Sequence, residues 1–406
     1  MHIFILGRQP ELSIAELESV FGPESIHRLA KDCVAIDGEH PDVRYQGLGG
    51  VIKTGEVIKI IPSSRMNKIY SGSRGEIIDY IMKRHSIGHK VRFGLSAYDM
   101  YVSTAQMHRL SFDIARRLQK KGYKTNVTIG KVPELNSAQV IHNDLIDEHG
   151  YEFLLVKSGE ETYLAKTVAV QDIEKYSKRD YGRPRRDTET GMLPPKLAQI
   201  MLNLANSAPG RTVLDPFCGT GVVLMEASLK QCKLMGGDIR QQMVDYTKEN
   251  LLWLGKEFGL DINTHEIARA DATTYRWKAH FDCVVSETYL GRQLSHAPNQ
   301  EILMKGIQEC DTLIRRFLIN LRPQLNAGSR CCIAIPAWRL NHGMAHLPII
   351  SQLEDLGYRR VSFRHVDFSK FIYRRPDQIV AREILVLEVT GTNAGSVTKP
   401  VPKALK

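Results

Sequence analysis

The segment 213–221 constrains the fold of this chain more than any other feature. It reads Val-Leu-Asp-Pro-Phe-Cys-Gly-Thr-Gly, an apolar strand that ends in Asp215 and turns on Gly219 and Gly221. Glycine lets the backbone approach a ligand closely, and the helical composition of residues 222–229 predicts a helix N-terminus directly after the turn. The order of strand, tight turn and helix predicts a site for a nucleotide-like cofactor.

Polar residues at the ends of later strands strengthen this interpretation. A Gly-x-Gly turn alone is weak evidence, and Leu224 stands where the dinucleotide fingerprint has its third glycine. About 17 residues after Gly221 a second apolar strand ends in Asp238, the spacing at which an acid reaches ribose hydroxyls in βαβ folds. Two further predicted strands lead to Asp271 and to Glu287. Since ligands bind outside the carboxyl ends of parallel strands, we expect these acids to line one crevice.

A simpler alternative exists for two of these acids. Asp215 and Asp271 each stand just before a predicted helix or turn, where an aspartate is a common N-cap. Taken singly, either residue fits that role as well as a ligand role. The recurrence of polar groups at four strand ends favours the cofactor crevice.

Length, charge and cysteine usage bound the class of protein. The chain has 406 residues, 43% of them hydrophobic, which suffices for two or three cores, and a net charge of +10 that suits a polyanionic partner without proving one. The seven cysteines form no Cys-x-x-Cys pair, and His342 and His346 lie in a predicted loop, so we expect neither disulfides nor a metal. No apolar run reaches the length of a membrane span, and the cytoplasm is the default location.

The pattern along the chain predicts five segments. Residues 1–65 and 66–170 read as two small α/β modules, and 171–190 as an exposed, charged linker. Residues 191–392 alternate strands and helices as in a doubly wound sheet, and the helix that begins near Pro195 is expected to pack beside that sheet. Residues 393–406 read as a basic, disordered tail.

A basic helix in the second module is a candidate RNA-binding element. Within 107–121, Leu110, Ile114 and Leu118 form an apolar stripe, and Gly122 ends the helix. Cationic residues cover its other faces and continue beyond it: Arg109, Arg116, Arg117, Lys120, Lys121 and Lys124. Arg183 and Arg185 of the linker are candidates of the same kind. Charge contacts of this type supply most sequence-independent affinity for nucleic acids, but a solvated helix face is the commoner explanation of an isolated charge run.

Three motifs together resemble a known family. They are Asp215-Pro-Phe-Cys-Gly-Thr-Gly221, the preceding Gly191-Met-Leu-Pro-Pro-Lys-Leu-Ala198, and the linker from Gln171 to Pro184. On these residues the chain resembles the THUMP-containing tRNA guanosine-10 N2-methyltransferases along nearly its whole length. The resemblance implies an α/β protein in which a ferredoxin-like module and a THUMP RNA-binding domain precede a Rossmann-like class I methyltransferase domain.

The resemblance also implies a cofactor, a partner and residue roles. The cofactor would be S-adenosylmethionine, with Asp215, Gly219 and Gly221 at its methionine part and Asp238 at its ribose. Further cofactor contacts would come from the residues around these strand ends, namely Phe217, Ile239, Asp271 and Ala272, the last two at the adenine edge. The partner would be tRNA, methylated on the exocyclic amine of guanosine 10. The resemblance leaves open whether a small activating protein subunit is needed.

The predicted catalytic loop departs from the family pattern. The family carries Asp-Pro-Pro-Tyr after the fourth strand, whereas this chain, aligned on Gly291, reads Glu287-Thr288-Tyr289-Leu290. We expect Glu287 to accept hydrogens of the target amine and Tyr289 to stack on a base flipped out of the RNA. Thr288 and Tyr289 lack the backbone rigidity that proline supplies. Three alternatives stay open: an RNA-binding relic without activity, an enzyme for another base, and a DNA amino-methyltransferase.

Overall fold

The computed structural model describes residues 1–38, 47–62, 69–187, 192–294, 296, 298–374 and 378–391, with residues 69–71 described through their backbone. Within this part of the chain, two compact units form. The first comprises Met1–Arg186, Met192–Leu204 and Ser362–Phe371, and the second comprises Asp187–Gly191, Ala205–Val361 and Ile372–Lys406.

The first unit is built on one eight-stranded sheet. Its strands are β1 (His2–Leu6), β2 (Ile26–Ala30), β3 (Cys33–Ile36), β4 (Val51–Pro62), β5 (Lys90–Tyr98), β6 (Lys124–Thr128), β7 (Gly150–Ser158) and β8 (Glu161–Val170). Their order in the sheet is β2-β3-β1-β4-β8-β7-β5-β6. The helices of this unit are α1 (Pro10–Phe21), α2 (Ile69–Met82), α3 (Thr104–Lys120), α4 (Ser137–His142), α5 (Ile173–Ser177) and α6 (Pro195–Leu204).

The predicted division at residues 65 and 66 does not separate two compact units. Strand β4 pairs with β1 on one side and with β8 on the other, so 1–65 and 66–170 share ladder hydrogen bonds in one sheet. The reason is that β4 is 12 residues long, so its first half pairs with β1 while residues 53–62 pair with β8. The names ferredoxin-like and THUMP stay predictions for the two parts.

The segment predicted as an exposed linker is folded onto the first unit where the structure describes it. Residues 173–177 form α5, and a π-helical turn follows at Lys178–Gly182. Arg179 and Arg183 are 4% and 3% exposed. The Arg183 guanidinium donates to the carbonyl oxygen of Arg179 at 2.7 Å. Most residues of the described segment are exposed, as predicted, but these two arginines are buried although they stand in a run of charged residues.

Helix α6 lies where the sequence predicted a helix, and it belongs to the first unit, where it contacts α1. The buried carboxylate of Glu16 in α1 explains this placement. It accepts the backbone N–H groups of Gly49 and Gly50 and, at 2.6 Å, the side-chain amide of Asn203 in α6. The apolar stripe of α6 was read correctly, but such a stripe specifies a buried face and not its partner.

The second unit is built on a mostly parallel sheet. Its strands are β9 (Thr212–Asp215), β10 (Lys233–Asp238), β11 (Thr264–Arg269), β12 (Cys283–Glu287), β13 (Arg330–Arg339), β14 (Met344–Ala345), β15 (Tyr358–Arg360), β16 (Ile372–Tyr373) and β17 (Val380–Val389). The main order is β11-β10-β9-β12-β13-β17-β15, with β14 beside β13 and β16 beside β17. The helices are α7 (Val222–Leu229), α8 (Gln241–Phe258) and α9 (Gln300–Leu321).

The topology of this unit confirms the predicted Rossmann-like α/β arrangement. Strands β11, β10, β9, β12 and β13 run parallel, and β17 is antiparallel to β13 and β15. The strand order reverses between β9 and β12, which creates the switch point at which such sheets bind ligands. The predicted tail, 393–406, lies outside the described residues.

Candidate active site

The turn after β9 has the backbone that its glycines predicted. Gly219 and Gly221 have φ angles of 50° and 85°, in the left-handed region that glycine tolerates. A Cβ atom on Gly221 would lie 3.0 Å from the Thr247 side chain, so the turn also approaches α8 closely. Gly221 is the N-cap residue of α7, so backbone N–H groups are available at the open end of the turn.

Two buried polar side chains of α8 hold this turn, and sequence reasoning missed both. The Thr247 hydroxyl donates to the carbonyl oxygen of Gly219, and the Asn250 amide donates to that of Thr220, each at 2.8 Å. Both side chains are fully buried. The signal was a threonine and an asparagine three residues apart on the apolar face of a helix, beside Leu251 and Leu254.

Asp215 lies at the end of β9 and is buried. Its Oδ1 accepts from the Ser286 hydroxyl at 2.6 Å and from the Phe217 N–H at 3.2 Å. Burial raises the pKa of Asp215 to about 7, while these hydrogen bonds act in the opposite direction. The ring of Phe217 packs edge-on against Phe317 with centroids 5.1 Å apart. Contact of Asp215 or Phe217 with a cofactor stays a prediction.

Asp238 closes the turn from the neighbouring strand. Its Oδ2 accepts from the Gly219 N–H at 3.1 Å, and its Oδ1 accepts from the Arg240 N–H at 2.9 Å. Each oxygen keeps a further lone pair for a hydroxyl donor. Ile239 is exposed on the same edge, and its carbonyl accepts from the Arg269 side chain at 3.1 Å.

Asp271 and Ala272 follow β11 at the same edge of the sheet. The Ala270 N–H donates to the carbonyl oxygen of Asp238, which brings the two strand ends together. Asp271 Oδ1 accepts from the N–H and hydroxyl of Thr273 at 2.9 and 2.8 Å. The turn-capping role considered for Asp271 is thus present. The carboxylate is exposed, so this role leaves room for a ligand.

Glu287 ends β12, next to Asp215 across the switch point, and a buried arginine holds it. Arg382 of β17 donates from Nε to Glu287 Oε2 at 2.5 Å and from Nη2 to Oε1 at 3.3 Å. The side chains are 5% and 18% exposed, respectively. Burial raises the pKa of Glu287, and the charge and hydrogen bonds of Arg382 oppose that rise. Sequence reasoning missed Arg382, whose signal was an Arg-Glu pair flanked by apolar residues in strand β17.

Thr288 gives the loop a rigidity that its sequence did not predict. Its N–H and its hydroxyl both donate to the carbonyl oxygen of Ala334, each at 3.0 Å. Two hydrogen bonds from one residue to the neighbouring strand fix the backbone where the family has proline. Tyr289 follows with 42% of its surface exposed, and burial of the remainder raises the pKa of its phenol.

The basic face predicted for α3 is exposed. Its apolar stripe is buried in the core of the first unit, as predicted. The six predicted cations on and after this helix are all exposed: Arg109, Arg116, Arg117, Lys120, Lys121 and Lys124. Arg117 also pairs with Asp113 at 3.3 Å. The prediction for Arg183 is wrong, because its side chain is buried and cannot reach a phosphate, whereas Arg185 is exposed.

The described residues contain neither a cluster of potential metal ligands nor a helix that could span a membrane. No group of three or more potential ligands is placed to hold a metal ion in that part of the chain. None of the helices described is long and apolar enough to cross a membrane.

Comparisons with known proteins place the second unit among methyltransferases. A family model described as an RMKL-like methyltransferase domain matches residues 183–340, and a DNA methylase model matches residues 101–249. The chain is 35% identical over 146 residues to a tRNA (guanine(10)-N2)-dimethyltransferase of Methanothermobacter thermautotrophicus, covering 36% of this chain and 39% of the relative. It is 42% identical over 84 residues to the enzyme of that name from Pyrococcus abyssi, covering 21% and 23%. The aligned segments thus span about two fifths or less of these relatives' lengths.

Solved structures share the fold over almost the whole chain. TrmN from Thermus thermophilus superimposes with a TM-score of 0.52 at 17% identity, covering 96% of this chain and 98% of that one. A possible methylase from Clostridium difficile 630 gives 0.51 at 12% identity, covering 98% and 99%. At these identities the likeness concerns the fold alone. The second unit thus has a Rossmann-like methyltransferase fold, and parts of the chain are similar in sequence to archaeal tRNA (guanine(10)-N2)-dimethyltransferases.

Proposed function

We propose that this chain transfers a methyl group from S-adenosylmethionine to the exocyclic N2 of a tRNA guanosine, at position 10. The observation that carries the proposal is the position of Glu287. Its carboxylate stands at the end of β12, across the switch point from Asp215 and beside the glycine turn, with the exposed ring of Tyr289 two residues away. A carboxylate and an aromatic ring at that point are suited to hold an amine-bearing base.

The residues around the turn fit the cofactor. The turn presents backbone N–H groups and a left-handed conformation in which a ligand can approach, and three strand ends supply carboxylates. Asp215 would face the methionine part and Asp238 the ribose hydroxyls, with Asp271 and Ala272 at the adenine edge. When bound, S-adenosylmethionine supplies an electrophilic methyl group on a sulfonium sulfur.

Methyl transfer requires the protein mainly to position the guanine amine against the methyl group. The N2 lone pair of guanine is delocalised into the ring, so the amine must be held by acceptors and aimed at the methyl carbon. As the N–C bond forms, the C–S bond breaks and its electron pair stays on sulfur, while N2 gives up a proton. We propose that Glu287 accepts the amine hydrogens and that Tyr289 stacks on the base. Each Glu287 oxygen bonded to Arg382 still has a lone pair for this purpose.

The exposed basic face of α3 supports tRNA as the partner. The face extends over a helix of 17 residues and continues to Lys124 at the start of β6. Such a cluster of cations suits a phosphate backbone and carries no sequence information. We propose that it grips the RNA while base selection takes place at Glu287 and Tyr289.

A second candidate is a methyltransferase for an amine of another nucleic acid. The match of a DNA methylase model favours this possibility. A third candidate is an RNA-binding relic, favoured by the engagement of both Glu287 oxygens with Arg382. Neither candidate changes the expected cofactor turn.

The test is methyl transfer with labelled S-adenosylmethionine. Unmodified tRNA and double-stranded DNA are offered separately, and the nucleosides are identified by mass after nuclease digestion. Label in N2-methylguanosine or N2,N2-dimethylguanosine at position 10 is the expected result, and a tRNA with adenosine at position 10 should take up none. Label in another nucleoside or in DNA would overturn the assignment of the base. Cofactor and tRNA binding without any label would favour the relic.

A further inference from the structure

Arg382 is bonded to Glu287, but the proposed reaction gives Arg382 no role. It lies on β17, and β13 separates it from Glu287 on β12. In the sheet registers, Glu287 stands opposite Ala334 of β13, and Arg382 stands opposite Pro336 of the same strand. Because alternate residues of a strand share a face, all four lie on one face of the sheet. The small side chain of Ala334 leaves room for the guanidinium to reach across to the carboxylate.

The pair is an unusual way to stabilise a sheet. Taking a guanidinium and a carboxylate out of water costs free energy that their attraction offsets only with good geometry, so a buried pair is weak evidence for stability. The geometry here is two-pronged, with Nε and Nη2 on different oxygens of Glu287. A planar fork of this kind fixes the orientation of a carboxylate, which a lysine could not do.

We propose that Arg382 is a positioning residue that holds Glu287 in one orientation and in its charged form at the end of β12, with free lone pairs directed to the incoming amine. This inference rests on the proposed function of Glu287. The side chain of Glu287 is the more exposed partner, at 18% against 5% for Arg382. Glu287 is therefore the member of the pair that keeps more contact with solvent.

The expected pH dependence follows from the groups that face Glu287. Burial favours its neutral form, Arg382 from β17 favours its charged form, and Asp215 from β9 is the neighbouring acid. Without Arg382, the effect of burial is unopposed and the pKa of Glu287 rises. A neutral carboxyl group loses acceptor capacity, so the acid limb of the rate profile should move to higher pH.

The experiment compares Arg382→Met and Arg382→Lys with the wild type and with Arg359→Met. Arg359 pairs with Glu388 on the surface of the same sheet and serves as the control. Arg382→Met should lower kcat on the order of 10²-fold at pH 7 with cofactor affinity changed by less than about threefold, and its acid limb should shift upward. Arg382→Lys should restore part of both effects, while Arg359→Met should resemble the wild type. A lower kcat with an unshifted profile would reduce Arg382 to a structural role and overturn the proposal.

A spectroscopic readout separates this inference from the proposed function. The infrared band of a protonated carboxyl group at position 287 is assigned by its loss when Glu287→Gln is combined with the Arg382 substitution. It should be absent from the wild type at pH 7 and present in Arg382→Met, or in Arg382→Lys if the methionine variant fails to fold. An unchanged spectrum in a folded variant would overturn the role of Arg382 whether or not the chain methylates RNA. The expected band together with an absence of transfer would overturn the function alone.

Discussion

Each compact unit contains a buried ion pair, and the two pairs differ in what surrounds the carboxylate. In the first unit, Lys53 donates to Glu152, and the side chains are 1% and 0% exposed. The Ser96 hydroxyl adds a bond to Glu152 Oε1 at 2.5 Å and the Thr167 hydroxyl adds one to Oε2 at 2.7 Å. In the second unit, Arg382 donates to both oxygens of Glu287, and the Glu287 side chain is 18% exposed.

This difference indicates that the Glu152 carboxylate is structural, whereas the Glu287 carboxylate is available to a ligand. Glu152 is enclosed, because strands β4, β5, β7 and β8 all contribute groups around it. Lys53 is held further by the carbonyl oxygen of Leu135. A carboxylate enclosed in this way can bind nothing else, and its value lies in the packing of the sheet. Glu287 stands at a strand end, where the sheet stops and a substrate can enter.

The largest expected effect is on the stability of the first unit. Replacing Lys53 by Met leaves Glu152 buried without its cation, which should lower the free energy of unfolding by about 3–5 kcal/mol. Urea denaturation followed by fluorescence measures it. Lys59→Met, on an exposed position of the same strand, is the control and should change stability by less than about 0.5 kcal/mol. A loss no larger than that of the control would mean that the enclosed pair contributes little to the fold.

The second effect is on catalytic activity and concerns the pair of Glu287 and Arg382. Replacing Glu287 by Gln removes the charge but keeps the shape, and should lower kcat by on the order of 10²–10⁴-fold. The dissociation constant for S-adenosylmethionine, measured by calorimetry, should change by less than about threefold because Asp238 and the turn are untouched. Glu388→Gln, in a surface pair on β17, is the matched control. Turnover retained in Glu287→Gln would remove the carboxylate from the mechanism.

The sequence predicted the residues at the strand ends better than the distant side chains that contact them. The strand pattern identified the glycine turn, Asp215, Asp238 and Glu287, because each of them ends a strand or directly follows one in the sequence. Arg382 is 95 residues from Glu287, and no local pattern links them. The same applies to α6, whose Asn203 bonds Glu16 across 187 residues. Periodicity locates a helix and its buried face, but only the fold decides which surface that face meets.

Runs of charged residues predicted burial less reliably than hydrophobic periodicity did. Arg183 stands in a run of charged residues that is typical of an exposed linker, yet it is buried and one guanidinium nitrogen donates to the carbonyl oxygen of Arg179. The exposure of the α3 cations was predicted correctly, because an apolar stripe at four-residue spacing defined the buried face of the helix. A charge run without such a stripe does not identify the individual side chains that are buried.

The third effect is a pH dependence at Asp215. Burial raises its pKa to about 7, so the fold favours the neutral carboxyl group. The stability from this group is fully present below about pH 3.9, the pKa of a model aspartate, and is lost as the pH rises through about 7. Asp215→Asn cannot ionise, so its Tm minus that of the wild type should increase between pH 5 and pH 9 without cofactor. Asp245→Asn, on the exposed face of α8, should show a constant difference, and a constant difference in Asp215→Asn would contradict the assigned pKa.

The smallest effect concerns the loop that replaces the family's prolines. Replacing Thr288 by Val removes the hydroxyl bond to Ala334 but keeps the backbone bond and the shape, so stability should fall by about 0.5–1.5 kcal/mol. If the bond also holds the loop in its active form, kcat should fall several-fold with little change in cofactor affinity. Thr264→Val, at the exposed start of β11, is the control for the substitution. A Thr288→Val variant with full stability and full kcat would show that the backbone bond alone does the work of proline, because that bond is the one that the variant keeps.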